Sequence, residues 1–214
     1  MTVTIHGWGF SPYLRAVRAA LNEKGVAHTH HDMTPADLAD PAFRAISPFG
    51  KIPVLRHGEV TVAETIAILH YVEEAFAGPS LVPPDAAARA RMRTLLLGVS
   101  SYLYPTAVMG VFFQDAYEGA NGGTPDAAAV HAAAERTGPV LDSLGALWAG
   151  EWAAGPALSL ADLLALPMIQ NLAMTAAGRQ LIAARPWLEA WFNRAAARPS
   201  LTATETPIPL FGLG

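Results

Sequence analysis

Three short stretches of this chain carry residue types and spacings that could do chemistry together. Ser11-Pro12-Tyr13-Leu14-Arg15-Ala16-Val17-Arg18 puts a hydroxyl at the start of a helix. Ser47-Pro48-Phe49-Gly50-Lys51-Ile52-Pro53-Val54-Leu55 puts an X-Pro turn beside a strand, and Ala63-Glu64-Thr65 opens a further helix with an acid and a hydroxyl. A hydroxyl beside a helix N-terminus can stabilise an anion through a charge-assisted hydrogen bond and the helix dipole. An X-Pro bond can be cis at modest cost, usually in a tight turn. The exposed N–H groups at the start of the third stretch also favour an anion. All three could converge on one peptide-like thiol ligand.

Strand and helix signals alternate around these stretches. Val3-Thr4-Ile5-His6 reads as a strand closed by Gly7 and Gly9. The helix after it sets Leu14, Val17 and Leu21 on one face and Arg15, Arg18 and Asn22 on another, and Gly25 stops it. Residues 26–33 suit a second strand. Lys51–Leu55 and Glu59–Val62 flank Arg56-His57-Gly58 as a hairpin, and Ile66, Leu69, Val72 and Phe76 mark a helix over 64–76. Residues 1–77 therefore read β-α-β, loop, β-β-α. Gly78-Pro79-Ser80-Leu81-Val82-Pro83-Pro84-Asp85 is a proline-rich boundary, and residues 86–214 read as all helix. One helix runs from Ala86 to about Tyr117 with a kink at Pro105, and Asn121-Gly122-Gly123 breaks it. A second starts at the cap Thr124-Pro125 and reaches Trp148; others cover Leu160–Met174 and Pro186–Ala197.

Composition narrows the chemistry. The 214 residues are half apolar, but the longest strongly apolar run, residues 157–169, is broken by Asp162. That predicts no transmembrane helix. The start of the chain lacks a signal-peptide pattern, so the expected location is cytoplasmic. A net charge of −4 with few basic clusters argues against a nucleic-acid partner. There is no cysteine, which excludes disulfides and any protein-borne thiol nucleophile; sulfur chemistry would need sulfur on a ligand.

These stretches, in this order and over nearly the whole chain, resemble the cytosolic glutathione transferase superfamily, in a serine-type, bacterial-like form. Leu158-Ser159-Leu160-Ala161-Asp162 is similar to its helix-capping motif, and Arg198-Pro199-Ser200 to the end of its last core helix. The resemblance implies a thioredoxin-like domain over 1–77, a linker over 78–85, a helical domain over 86–214 that contributes the acceptor pocket, and a homodimer. It implies a glutathione transferase with glutathione as co-substrate, a small hydrophobic electrophile as partner substrate, and no metal. Ser11 is the implied activator of the bound thiol. Ile52, before Pro53, is implied to offer its backbone to the cysteinyl part of glutathione. Thr65 would take the γ-glutamyl carboxylate, Glu64 the same group's ammonium, and Lys51 the glycine-end carboxylate. Phe10, Tyr13, Tyr104 and Phe112 are candidate walls of a pocket between the domains, and Phe49 is a hint of a dimer contact.

Plainer readings stand beside these roles. Glu64 and Thr65 suit helix capping by an acid and a hydroxyl in the first turn, which is compatible with ligand binding. Ser11-Pro12 is an ordinary N-cap and first-turn pair. Pro53 suits an edge strand, Lys51 a solvated loop, and the four aromatics a core. Ser159 and Asp162 have capping-box spacing, and the structural reading wins there. His28, His30 and His31 lack further ligands for a metal site. The Arg89, Arg91 and Arg93 run decorates a helix. The competing function is a non-catalytic dimer that keeps the fold as an interaction or regulatory module.

Overall fold

The computed structural model describes residues 2–34 and 36–209. They divide into two compact units, one holding the chain up to Leu81 together with Pro199–Thr206, the other holding Val82–Arg198. The first boundary falls inside the proline-rich stretch. The segment 199–206 returns to the first unit.

The first unit runs β1 (Val3–Gly7), α1 (Pro12–Glu23), β2 (His28–Asp32), a 3₁₀ turn (Ala36–Ala39), α2 (Pro41–Ile46), β3 (Val54–His57), β4 (Val60–Ala63) and α3 (Thr65–Ala75). Its four strands lie in the order β2-β1-β3-β4, with β1 parallel to β2 and antiparallel to β3. This is a thioredoxin-like layout. Alternation along β1 buries Val3 and Ile5 and turns Thr4 and His6 to the other face. On that second face Val54 forms a small apolar cluster with Met33 and Phe43. The hairpin turn falls at Gly58-Glu59, with Gly58 at φ 59°, so β3 ends two residues later and β4 begins one residue later than expected. The helix α2 has only six residues, too few for a legible period; Asp40 caps it by accepting from the Ala42 N–H at 2.8 Å.

In α1, Leu14, Val17 and Leu21 are buried as their spacing predicts. The face with Arg15, Arg18 and Asn22 is partly covered: Arg15 is buried, and Arg18 and Asn22 are half-buried. The returning segment, with its short helix α10 (Pro199–Thr202), lies against it. Arg15 Nε donates to Thr204 Oγ1 (3.4 Å), Arg18 Nη2 to the Ala203 carbonyl (3.3 Å) and Asn22 Nδ2 to the Ser200 carbonyl (3.0 Å). Lys24 at the end of α1 pairs with Glu73 of α3 at 2.7 Å, and the same carboxylate accepts from the Leu81 N–H and Ser80 Oγ.

The second unit is helical: α4 (Ala86–Gly98), a stretch Val99–Tyr117 with the wider i→i+5 turn, a last turn α5 (Glu118–Ala120), then α6 (Ala127–Leu147), α7 (Leu160–Ala173), α8 (Ala176–Ala183) and α9 (Pro186–Ala196). Pro105 sits inside the wide-turned stretch, so the expected kink is instead part of a long change of helical pitch. Ala86–Ala120 is long and apolar enough to cross a membrane by composition. Leu103, Ala107, Val108, Val111 and Phe112 are buried, however, and the wide-turned stretch packs on α6 and α7, as in a core helix. The cap of α6 is Asp126 rather than Thr124; its Oδ1 accepts from the Ala128 and Ala129 N–H groups. The helix α8 is an addition to the helices expected. It is defined by Thr175, whose hydroxyl caps the Gly178 N–H, and by Gly178, where an added Cβ would lie 1.9 Å from the Leu172 carbonyl.

Ser159 and Asp162 behave as the capping reading requires. Both are buried, and the Asp162 carboxylate accepts four hydrogen bonds, from Ser159 N–H, Ser159 Oγ–H, Ala153 N–H and the Trp191 indole N–H, at 2.7–2.9 Å. Burial pushes this carboxyl up from its usual range, and the four bonds oppose that shift.

Candidate active site

Strand register brings the three chemical stretches to one end of the sheet. His6 is paired with Val54, and Val54 with Ala63, so one row crosses β1, β3 and β4. The chain leaves β1 at that row toward Ser11, enters β3 at it from Ile52, and leaves β4 at it into Glu64 and Thr65. Gly7 makes the convergence tight. A Cβ there would lie 2.6 Å from Leu14 Cδ1 and 3.4 Å from Ile52 Cβ.

The loop Gly7–Phe10 that launches α1 is held from β2. The Gly9 N–H donates to Asp32 Oδ1 at 3.0 Å, and His30 Nε2 lies 2.8 Å from the Gly7 carbonyl. His28 Nδ1 lies 3.0 Å from the Val26 carbonyl. Two of the histidines considered as metal ligands thus bind backbone. Among the described residues there is no group of three or more His, Cys, Asp or Glu placed to hold a metal.

Ser11 is the N-cap of α1, buried, with its own N–H donating to the Trp8 carbonyl. Its Oγ accepts from the Leu14 N–H at 3.4 Å, at the long edge of a hydrogen bond. Capping uses a lone pair, whereas thiolate stabilisation uses the hydroxyl proton, so one serine can do both. One turn further on, Arg15 is only 2 % exposed. Burial lowers its pKa to about 10, opposed by Glu205 and assisted by Arg18, so it is still a cation at neutral pH.

The Ile52–Pro53 peptide is cis, and Ile52 lies beyond the last paired residue of β3. The loop before it is closed by Ser47, a residue to which the sequence reading gave no separate role. Its buried hydroxyl accepts from the Lys51 N–H (2.9 Å) and donates to the Lys51 carbonyl (2.7 Å), while the Gly50 N–H donates to the Ser47 carbonyl. Gly50 sits at φ 60°, and a Cβ there would meet the Arg44 guanidinium at 2.7 Å. Lys51 is thereby fixed in its backbone and exposed in its side chain.

Glu64 departs from the simple picture of a helix-opening acid. It is the N-cap of α3 at φ 70°, ψ 118°, and makes no side-chain cap bond. Among the described residues it is the only non-glycine with positive φ. Such a backbone costs about 1–3 kcal/mol and persists where the surroundings enforce it, often at ligand sites. Thr65 follows as the first residue of α3 and is buried.

The expected aromatic walls divide. Tyr13 and Tyr104 are half-buried, and burial raises the pKa of the Tyr104 phenol. Phe10 is buried, and Phe112 is fully buried, packing on Phe113 and Tyr117 with ring centroids 5.4 and 6.3 Å away. Phe112 is core rather than an open wall, because its segment is the apolar centre of the helical unit. Asp32, Ser47 and the returning segment have no separate role in the sequence. The partners of Asp32 and of the returning segment lie far along the chain, and Ser47 closes its own loop onto Lys51, where only the loop's fold reveals the bond.

The comparisons with known proteins agree with this geometry. Residues 5–80 match the family described as glutathione S-transferase, N-terminal domain, and residues 90–199 the glutathione S-transferase, C-terminal domain. The chain is similar to glutathione S-transferase 3 of Zea mays, 35 % identical over 96 % of this chain and 94 % of that one. Among solved structures it is similar to glutathione S-transferase III in apo form, with 32 % identity, a TM-score of 0.82 and full coverage of both chains. It is also similar to glutathione transferase F7 from Populus trichocarpa, with 27 % identity, a TM-score of 0.84, and 95 % of this chain and 97 % of that one covered. With two family domains covering most of its length and a sheet end assembled from the matching motifs, the chain belongs to the glutathione S-transferase family.

Proposed function

We propose that this chain is a serine-type glutathione transferase of the cytosol, in which Ser11 holds the bound cofactor's sulfur as thiolate for attack on a small apolar electrophile. The observation that carries the reading is the single row His6–Val54–Ala63, from which Ser11, Ile52 and Glu64-Thr65 all depart at one sheet end. Ile52 offers backbone N–H and C=O to the cysteinyl residue, as an added strand would. The Thr65 N–H and hydroxyl take the γ-glutamyl carboxylate at the start of α3, where the dipole favours it. Glu64 meets the ammonium of that same group, and Lys51 the glycine carboxylate.

A free thiol has a pKa of about 8.5, and lowering it by about two units needs roughly 2.7 kcal/mol in favour of the anion. The Ser11 hydroxyl supplies a charge-assisted bond, and the α1 N-terminus and the Arg15 cation add positive potential. The thiol proton leaves to solvent. The sulfur lone pair then forms a carbon–sulfur bond as the electrophile's leaving group departs with its electron pair.

The assembly is proposed to be a homodimer. Phe49 is 67 % exposed at the tip of the Ser47 loop. In the helical unit, Leu97, Tyr102, Pro139, Val140, Leu144 and Leu147 line an apolar groove of 470 Å³. A Phe49 from a second copy suits this groove. Calorimetric titration with glutathione at neutral pH tests the main reading. Micromolar to millimolar binding supports it. No heat, together with no thermal stabilisation at high glutathione, would refute it and turn the search toward a protein partner.

A further inference from the structure

We propose that the face of the sheet carrying Thr4, His6 and Arg56 holds a site for a small sulfate- or phosphate-type oxyanion, with Arg56 and His6 as its donors. Thr4 pairs directly with Arg56 across β1 and β3, and His6 with His31 across β1 and β2, so these side chains share one face. The His6 and His31 rings lie 5.1 Å apart. Arg56 is exposed, and it forms no ion pair with a carboxylate among the described residues.

Two adjoining hollows share His6 and Arg56. The first, of 440 Å³, is lined by Thr2, Thr4, His6, Arg56 and Gly58, with no acid among them. The second, of 270 Å³, adds His31 but also Asp37 and Asp40. An anion therefore belongs in the first. Both acids are already engaged: Asp37 accepts from the Thr34 N–H and hydroxyl, and Asp40 caps the Ala42 N–H. A planar guanidinium fork suits an oxyanion bidentately, and a concave hollow suits a small ion better than a flat surface.

The charged and titratable groups on the elements around His6 are His28, His30, His31 and Asp32 from β2, Arg56 and His57 from β3, and Asp37, Asp40 and Arg44 from the segment that forms α2. Burial, then His31, Arg56 and His30, hold the His6 pKa below its ordinary 6.5. An anion between His6 and Arg56 opposes that repulsion. Binding and protonation are then linked, and affinity rises as pH falls from 7.5 to 5.5.

The test is a sulfate titration of the full chain, followed by imidazole NMR at fixed ionic strength set with chloride. Sulfate keeps its charge over this range. The expected result is saturable shifts at His6, an upward move of its titration, and an affinity about fivefold or more tighter at pH 5.5 than at 7.5. Arg56→Gln, at an exposed position, should keep the amide spectrum of the fold and lose the saturable response. Shifts that follow ionic strength alone, or that survive in Arg56→Gln unchanged, overturn the proposal, since they report screening. Co-sedimentation with anionic phospholipid vesicles in the absence of any sulfate response would also overturn it, in favour of a membrane surface.

Discussion

Replacing Ser11 by alanine removes two interactions that can be measured apart. The first is the cap on α1. A serine N-cap is worth about 1 kcal/mol, and the 3.4 Å bond to Leu14 places this one near the weak end, about 0.5 kcal/mol. The melting temperature should therefore fall by only about 1–2 °C for a chain of this size. The second is the donor to the thiolate. A hydrogen bond to a charged group contributes about 1.5–3 kcal/mol, which is about 1–2 units in the pKa of bound glutathione. Rate is the blunter readout. Thiolate fraction falls about 10–100-fold below the pKa, but a more basic thiolate is more nucleophilic, with a Brønsted slope near 0.4–0.5. The net loss in turnover at low pH is then roughly 3–10-fold, and it shrinks as pH rises. The assay is the pH profile of turnover with an activated aryl halide, paired with ultraviolet absorbance of the bound thiolate and with Ser11→Thr as the hydroxyl-retaining control. An alanine variant that binds glutathione and titrates at the wild-type pKa would refute the proposed role of Ser11 and leave the fold untouched.

Three further predictions separate function from folding. Glu64→Gly relieves a φ of 70° while removing the carboxylate, so the melting temperature should hold or rise as the Kd for glutathione increases at least tenfold; a fall in stability with unchanged affinity would contradict the assignment. Asp162→Ala leaves four buried donors without their acceptor and should destabilise by about 3–5 kcal/mol in denaturant unfolding, against about 1 kcal/mol for Ser159→Ala. Glu73→Ala leaves Lys24, 3 % exposed in its side chain, without its partner and should cost about 3 kcal/mol in the same assay, with Glu73→Gln recovering part of it through the Leu81 and Ser80 bonds.

Local chemistry made the elements and motifs legible in the sequence. The alternation of Val3 and Ile5, the 3.6-residue spacing of Leu14, Val17 and Leu21, Pro12 after a capping serine, and the Ser159–Asp162 box each act within a few residues, so their signal lies in adjacent letters. The three stretches that meet at the candidate site were legible for the same reason. The tertiary structure decided what depends on distant partners. Arg15, Arg18 and Asn22 read as a polar helix face because the spacing shows polarity, but whether such a face meets water or chain depends on where residues 199–206 go. Phe112 read as a possible pocket wall because aromatic character is the same in a wall and in a core; burial in the helical unit made it core. The strain at Glu64 has no sequence mark, since glutamate shows no preference for positive φ. Composition and spacing therefore set which groups could act on a thiol. Strand register and the returning C-terminal segment set where those groups stand, because both are sums of weak contacts between residues far apart in the chain.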